Sequence, residues 1–295
     1  VPEDPGAYLA IDIGGTKIAC GMVDTAGGLA ATRQIPTPQV MDSEELFDAV
    51  VQLAVVVRAD AKTPLVACGV GCGGPMEGGT VSPLNIPAWR EFPLRARLAE
   101  ALDLTVAVDN DAKALALAEG WRGAAKGSSN YLAMVVSTGV GGGIVLNGRL
   151  LDGRLGNAGH VGHVNVVADG RRCSCGASGC LEAEASGTAI RDLTGAAPQF
   201  APRSLRERCG TMVGRAVASA ANLLDLELAV VGGSVALGFG DTFFAAARVE
   251  LADRARLAFS RQCRIEPVGL GSSAPLVGAA AVAIRHLDGD GGGPR

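Results

Sequence analysis

Apolar residues come in short runs broken by glycine, and the runs fall into two successive groups. Ala7 to Ile13, Lys17 to Asp24 and Leu29 to Ile35 are each rich in strand formers. Gly14-Gly15-Thr16-Lys17 and Thr25-Ala26-Gly27-Gly28 turn the chain between them, which predicts three antiparallel strands. Asp42-Ser43-Glu44-Glu45 then opens a helix in which Leu46, Phe47, Val50, Leu53 and Ala54 recur at helical spacing. Leu65 to Gly71 reads as a buried strand, ended by Gly71-Cys72-Gly73-Gly74-Pro75 and a loop running to Pro87. Pro93 to Leu102 predicts a helix, Thr105 to Val108 a strand and Ala112 to Trp121 a further helix.

A second group follows. Asn130 to Ser137 and Gly142 to Asn147 predict a strand pair around Thr138-Gly139-Val140-Gly141. Ser204 to Leu224 is a long amphipathic helix, Leu228 to Val231 a strand, and Gly232-Gly233-Ser234 a turn. A helix from Asp241 to Ala258, a strand from Arg264 to Val268 and a helix from Ala274 to Leu287 complete the pattern. The glycine-rich stretch 288–295 is expected to be a flexible tail. Strand groups followed by helices, twice over, predict an α/β protein of two halves meeting at a cleft.

Composition narrows the function classes. A chain of 295 residues with 48% apolar and 19% charged residues can build two modest domains with proper cores. Only 4% of residues are aromatic and the net charge is −4 with no basic run, which argues against nucleic acid as a partner. Neither a secretory signal nor an apolar span of membrane length is visible, so no membrane role is expected.

The stretch from Gly156 to Gly187 holds the most specific chemistry. His163, Cys173, Cys175 and Cys180 offer one imidazole and three thiolates, the donor set that tetrahedral Zn²⁺ takes in closed structural sites. A chance cluster of cysteines in a glycine-rich loop is the competing reading. Arg171, Arg172, Ser174, Gly176 and Ser178 cannot bury such a loop, and free thiols there would be oxidisable, which favours a metal. Thiolates used in this way suit a reducing cytoplasm. Cys20, Cys68, Cys72, Cys209 and Cys263 stand in apolar contexts and are expected to be buried free thiols.

Three glycine turns at strand ends suggest a nucleotide. In Asp12-Ile13-Gly14-Gly15-Thr16-Lys17 the glycines let backbone N–H groups approach phosphate oxygens, Thr16 and Lys17 add donors, and Asp12 can hold Mg²⁺. An ordinary Gly-Gly hairpin explains the hexapeptide equally well, and the Walker A spacing is absent. Thr138-Gly139-Val140-Gly141 is a second phosphate cradle or a plain turn. Gly233 lies in a third turn, open to close approach by a purine and ribose.

In order, the motifs DIGGTK, NDA before a helix, STGVGGG, GHV with CSCGASGCLE, and VVGGS resemble the ROK family of sugar kinases, within the actin-like, hexokinase-type ATPase superfamily. The resemblance covers nearly the whole chain, from Leu9 to about Leu287. It implies two actin-like (ribonuclease H-like) α/β domains flanking an active-site cleft. One would be a small N-terminal domain, 1–108, completed by helix 274–287, and the other a larger domain, 109–273, with the zinc loop. Closure would hinge near Val108 and Ala274.

By the same resemblance, Asp111 is the catalytic base toward a sugar hydroxyl that attacks the γ-phosphorus of ATP with Mg²⁺; helix capping is its alternative role. Gly74, Asn85 and Asn110 match sugar-contacting positions, Glu182 a sugar-binding carboxylate, and His163 a residue serving both zinc and sugar. His160 departs from the family, which more often has Glu there. That leaves glucose, an N-acetylhexosamine or an aminosugar such as kanosamine as acceptors. Lys113 also departs from a more frequent Asn and is expected to be solvated or at the cleft edge. Family regulators carry an extra N-terminal winged-helix domain; a first strand at Ala7 favours the enzyme over a non-catalytic sugar sensor. The apolar face from Val213 to Leu224 suits a homodimer or homotetramer contact, or burial inside the chain.

Overall fold

Glycine turns between the opening apolar runs do what their spacing predicts. In the computed structural model, which describes residues 6–289, β1 (Ala7–Ile13), β2 (Lys17–Asp24) and β3 (Leu29–Pro36) pair antiparallel. Helix α1 (Ser43–Ala59) starts where Asp42 accepts the Glu44 N–H, and it buries Leu46, Phe47, Val50, Leu53, Ala54 and Val57. Strand β4 (Leu65–Cys72) then joins β1 in parallel. A two-stranded ribbon of β5 (Met76–Glu77) and β6 (Thr80–Val81), unforeseen in the sequence, interrupts the long loop. Helix α2 (Leu94–Leu102) leads to β7 (Val106–Asn110), parallel to β4, and α3 (Asp111–Arg122) follows without a loop.

The second sheet repeats this scheme. Strands β8 (Tyr131–Val136), β9 (Val140–Leu146) and β10 (Arg149–Leu150) are antiparallel. Two short helices, α4 (Leu181–Ala185) and α5 (Gly187–Thr194), precede α6 (Arg203–Leu224) and β11 (Leu228–Gly232). Helices α7 (Ser234–Phe239) and α8 (Asp241–Arg254) lead to β12 (Arg264–Pro267), and α9 (Ala274–Leu287) ends the described chain. The strand orders are β3-β2-β1-β4-β7 and β10-β9-β8-β11-β12, so each sheet has an antiparallel trio extended by two strands parallel to its third member. That duplicated α/β scheme is the actin-like one.

Two compact units result. One takes the chain through Arg122, Asp152–Ala158 and the part from Leu270 on; the other takes Gly123–Leu151 and Gly159–Gly269. The boundary falls after α3 rather than at Val108, because α3 packs on α9 and β7 of the first unit. Within that unit, α9 lies on β4 so closely that a Cβ at Gly69 would sit 1.8 Å from the Ala279 carbonyl oxygen. The other sheet face carries Leu9, Ile11, Ile13 and Ile18 against α1, in one core with Trp89 and Leu98. In the second unit, α6 and α8 pack together over β8 and β11, and Met212, Val213, Val217 and Ala221 are buried there. Burial in its own unit accounts for much of the apolar face of α6; Leu223 stays 81% exposed.

Some element ends differ from the sequence pattern. β9 begins at Val140, since Val136 pairs with Val140 and Val135 with Gly141. Helix α8 stops at Arg254, because Ala255 leaves helical geometry at ψ 77°. The expected flexible tail lies, from residue 290 on, outside the described residues. Among the described residues, no helix is long and apolar enough to cross a membrane.

Candidate functional site

Parallel pairing in the first sheet brings three strand ends level, the place where open α/β sheets hold ligands. Asp12 of β1, Gly71 of β4 and Asp109 of β7 form one row, and Ile13, Cys72 and Asn110 the next. Gly71 leaves room in that row: a Cβ there would lie 3.6 Å from Asp12 Oδ1 and 3.7 Å from both the Asp111 Cα and the Ala114 Cβ. Asp12 and Asp111 are therefore neighbours. Burial, and secondarily the Asp111 carboxylate, push the Asp12 carboxyl from 3.8 up to about 7, with Lys17 pulling it down. A cation at Asp12 would offset both effects.

Asp111 is the first residue of α3 and is exposed. Its Oδ1 accepts the Ala112 N–H at 2.8 Å, and Asn110 Oδ1 accepts the same N–H at 3.0 Å. Asn110 thus caps the helix, while Asp111 stands at the positive end of the helix dipole, which favours its ionised form. Gly74 is close by, since a Cβ there would be 3.3 Å from Asn110 Nδ2. Asn85 packs on the opening hairpin, its Cβ 2.7 Å from where a Gly15 Cβ would be. The first unit so gathers Asp12, Gly15, Gly74, Asn85, Asn110 and Asp111 at one end of its sheet. In the hairpin, the Gly14 N–H is bound to the Lys17 carbonyl at 3.0 Å, and Thr16 and Lys17 are exposed.

The second unit gathers another set. The turn between β8 and β9 is only residues 137–139, closed by the Ser137 N–H on the Gly139 carbonyl at 2.9 Å. Thr138 is exposed, and its carbonyl accepts both the Thr188 N–H and hydroxyl, which seats α5 under the turn. Helix α5 went unread in the sequence, although Ser186 caps it by accepting the Ala189 N–H at 3.0 Å. Gly233 adopts φ 95° and lies against the Val136 carbonyl, where no Cβ would fit. Gly141 is in β9 rather than in the turn. Its neighbour Gly142 lets residues 159–162 cross that strand closely, a Cβ there falling 2.7 Å from Val161 Cγ1.

The metal-ligand candidates converge. His163 Nδ1 is 3.7 Å from Cys173 Sγ, Cys175 and Cys180 sulfurs are 3.7 Å apart, and all four ligand atoms lie within 4.8 Å of one another. Tetrahedral zinc, with Zn–S of about 2.3 Å, needs sulfurs roughly 3.8 Å apart, so the residues fit the ion. The thiols ionise unequally: burial, and then the neighbouring Cys175 and Cys173, push Cys180 up to about 12, whereas hydrogen bonds from the Ala177 backbone and from Cys173 hold Cys175 below the ordinary thiol value. The knuckle is built from backbone bonds, Cys173 N–H to the Ala177 carbonyl at 2.8 Å and Gly176 N–H to the Cys173 carbonyl at 3.0 Å. Its base is held by Glu184, which is 1% exposed, accepts the Arg171 N–H at 2.7 Å and pairs with Arg208 of α6 at 2.5 Å.

Directly after Cys180, α4 carries Glu182 to the nucleotide-turn candidate. Its Oε2 accepts the Val140 N–H at 2.9 Å and lies 2.7 Å from where a Gly139 Cβ would be. His160 is exposed, its ring centroid 6.1 Å from that of His163. Lys113 differs from expectation: it is 2% exposed and ion-paired inside the first unit, not solvated. The other five cysteines are buried free thiols, as their apolar contexts predict.

Comparison with known proteins gives consistent results. Residues 8–286 match the model of the ROK family. The chain is 36% identical over 274 residues to a glucokinase of Halalkalibacterium halodurans, covering 80% of this chain and 82% of that protein. It is 35% identical over 290 residues to an N-acetylmannosamine kinase of Haemophilus influenzae, covering 92% and 93%. The solved structure of a ROK family glucokinase from Streptomyces griseus, in complex with glucose and AMPPNP, superposes with a TM-score of 0.79 at 30% identity, covering 93% of this chain and 98% of that one.

Proposed function

Because this chain belongs to the ROK family, we propose that it is an ATP-dependent hexose kinase that transfers the γ-phosphoryl group to the 6-hydroxyl of glucose or an aminohexose. The observation that carries the reading is the row of strand ends that sets exposed Asp111, at a helix N-terminus, beside half-buried Asp12. Asp111 accepts the proton of the sugar hydroxyl as that oxygen attacks phosphorus, the part a carboxylate plays in kinases. Asn85, Asn110 and the Gly74 turn hold the other hydroxyls of the sugar. Hydrogen bonds from fixed polar groups discriminate hydroxyl patterns strongly.

Asp12 would hold Mg²⁺ directly or through water, and the ion when bound would supply positive charge to the phosphates. Donors at Gly15, Thr16 and Lys17, and at Thr138 and Gly139, cradle the phosphates, with Gly14 closing the hairpin beneath them and Gly233 against the purine and ribose. His163, Cys173, Cys175 and Cys180 hold a structural zinc. Four protein donors would leave the ion no open position, so it would serve as a brace. Glu182 and His163 stand at the two ends of that brace, and we assign both to sugar binding. Support for this comes from the bond between Glu182 and the Val140 N–H, which ties the Cys loop to the turn.

One observation favours a second acceptor class. The chain is also similar over 92% of its length to an N-acetylmannosamine kinase, and His160 offers a donor where a carboxylate could only accept. ADP release measured with glucose, N-acetylmannosamine, N-acetylglucosamine and kanosamine separates the two. Asp111→Asn keeps the helix start and should lower kcat by about 10² to 10⁴. Turnover near wild type in that variant would end the assignment, and no ADP release with any hexose would end the kinase reading.

A further inference from the structure

Four charged side chains of the first unit meet beside the corner between β7 and α3. Lys113 is 2% exposed, and Asp109 and Arg285 8% each. The Lys113 ammonium has three protons and finds three acceptors: Asp109 Oδ1 at 2.9 Å, Asp152 Oδ1 at 2.6 Å and the Gly156 carbonyl at 3.1 Å. Arg285 of α9 lays its guanidinium fork on both oxygens of Asp152, and one arm reaches Asp109 Oδ2 at 3.4 Å. Asp109 Oδ1 also accepts the backbone N–H of Asn110 at 2.8 Å. Two carboxylates and two cations cancel in charge.

Such a cluster is a poor route to stability, because well-packed apolar side chains of similar volume would serve at least as well. Its geometry has a different effect. Asp109 is the last residue but one of β7, just before Asn110 and Asp111, and Lys113 sits in the first turn of α3 after them. Their ion pair closes a clasp across the corner. Asp152 and Gly156 anchor that clasp from the segment Asp152–Ala158, which Asn157 also ties to the Met76 backbone by two hydrogen bonds, at 3.3 and 3.0 Å.

We propose that Lys113 is a positioning residue for Asp111, and that the ion cluster centred on it fixes the strand-to-helix corner and so the direction of the Asp111 carboxylate. The proposal rests on the reading of Asp111 as the catalytic base. Lys113→Met keeps the aliphatic stem and removes the ammonium. Asp152→Asn, at a carboxylate 41% exposed, loosens the same cluster more gently. For both, kcat and the sugar KM are measured with the best acceptor, together with amide hydrogen exchange by residue; Asp111→Asn is the control.

In Lys113→Met, kcat should fall by roughly tenfold to a hundredfold, more than KM rises, as for a reacting group moved by a fraction of an ångström or more. Amides 110–112 should exchange faster while those of β1 and β4 keep their protection. Wild-type kcat in Lys113→Met, with Asp111→Asn inactive, overturns the clasp and leaves the base in place. An active Asp111→Asn overturns the base reading instead. Faster exchange throughout the unit in both variants also overturns the clasp, in favour of general destabilisation. If Lys113→Met does not fold, Asp152→Asn decides: lower kcat with faster exchange confined to the corner supports the proposal, and wild-type values of both refute it.

Discussion

Replacing Asp12 by Asn should make the ligand-free protein more stable in mild alkali while removing its turnover. Burial first, and the Asp111 carboxylate second, raise the Asp12 carboxyl from 3.8 to about 7. Over the window between those values the folded chain holds a proton that the unfolded chain has released. The stability this contributes is therefore complete below 3.8 and is lost as pH rises through about 7. At 1.36 kcal/mol per pH unit, the whole window is worth about 4 kcal/mol. Asn copies the shape of the neutral acid and cannot ionise, so the variant escapes the loss. Its advantage over wild type should grow by about 2 kcal/mol between about pH 5.5 and pH 8.5, the part of the window lying above the lower value. Trp89 and Trp121 are the two tryptophans of the chain, and both are buried in the unit that holds Asp12. Urea unfolding followed by tryptophan fluorescence, in buffer free of divalent cations, reads that unit. A variant no more stable than wild type at the higher pH, with no growth between the two, would refute the claim that this carboxylate is ionised at a cost.

Two further perturbations test other parts of the structure. Cys175→Ser should reduce bound zinc from about one ion per chain to well below that, with activity falling in parallel and limited proteolysis opening the loop around Cys175; full activity in metal-free protein would show that the ion braces nothing. Gly69→Ala should cost at least about 3 kcal/mol, since the new Cβ meets the Ala279 carbonyl of α9, backbone that cannot rotate aside. The same fluorescence measurement checks it, and a near-neutral result would mean that α9 is not seated on β4.

Local pattern was sufficient wherever the physics is local. Apolar runs separated by Gly14-Gly15 and Gly27-Gly28 specified the opening hairpins, because a glycine turn between strand formers has few other folds. The spacing of Leu46, Phe47, Val50 and Leu53 specified α1, and all four are buried. Where several backbones approach one another, the same reasoning misread glycine. Gly141 looks like part of a turn, yet it belongs to β9, and the glycine beside it is needed because residues 159–162 pass over that strand. Nothing within a few residues of Gly142 records that crossing. Helix α5 was missed for a related reason, being too short to show periodicity and held by its bonds to the 137–138 turn.

By itself, then, the chain's pattern determined the longer strands and helices, which donors could take zinc, and, through the resemblance of its motifs, the family. Tertiary structure alone decided the company that charges keep. Lys113 looks solvated in sequence because a lone lysine on a helix is best hydrated, and it is buried because Asp109 from one segment and Asp152 and the Gly156 carbonyl from another take its protons. Asp12 likewise gains its perturbed carboxyl only when parallel pairing of β1, β4 and β7 sets it beside Asp111. Hydration, burial and charge pairing are properties of a residue's surroundings, and those surroundings are assembled from parts of the chain far apart in sequence.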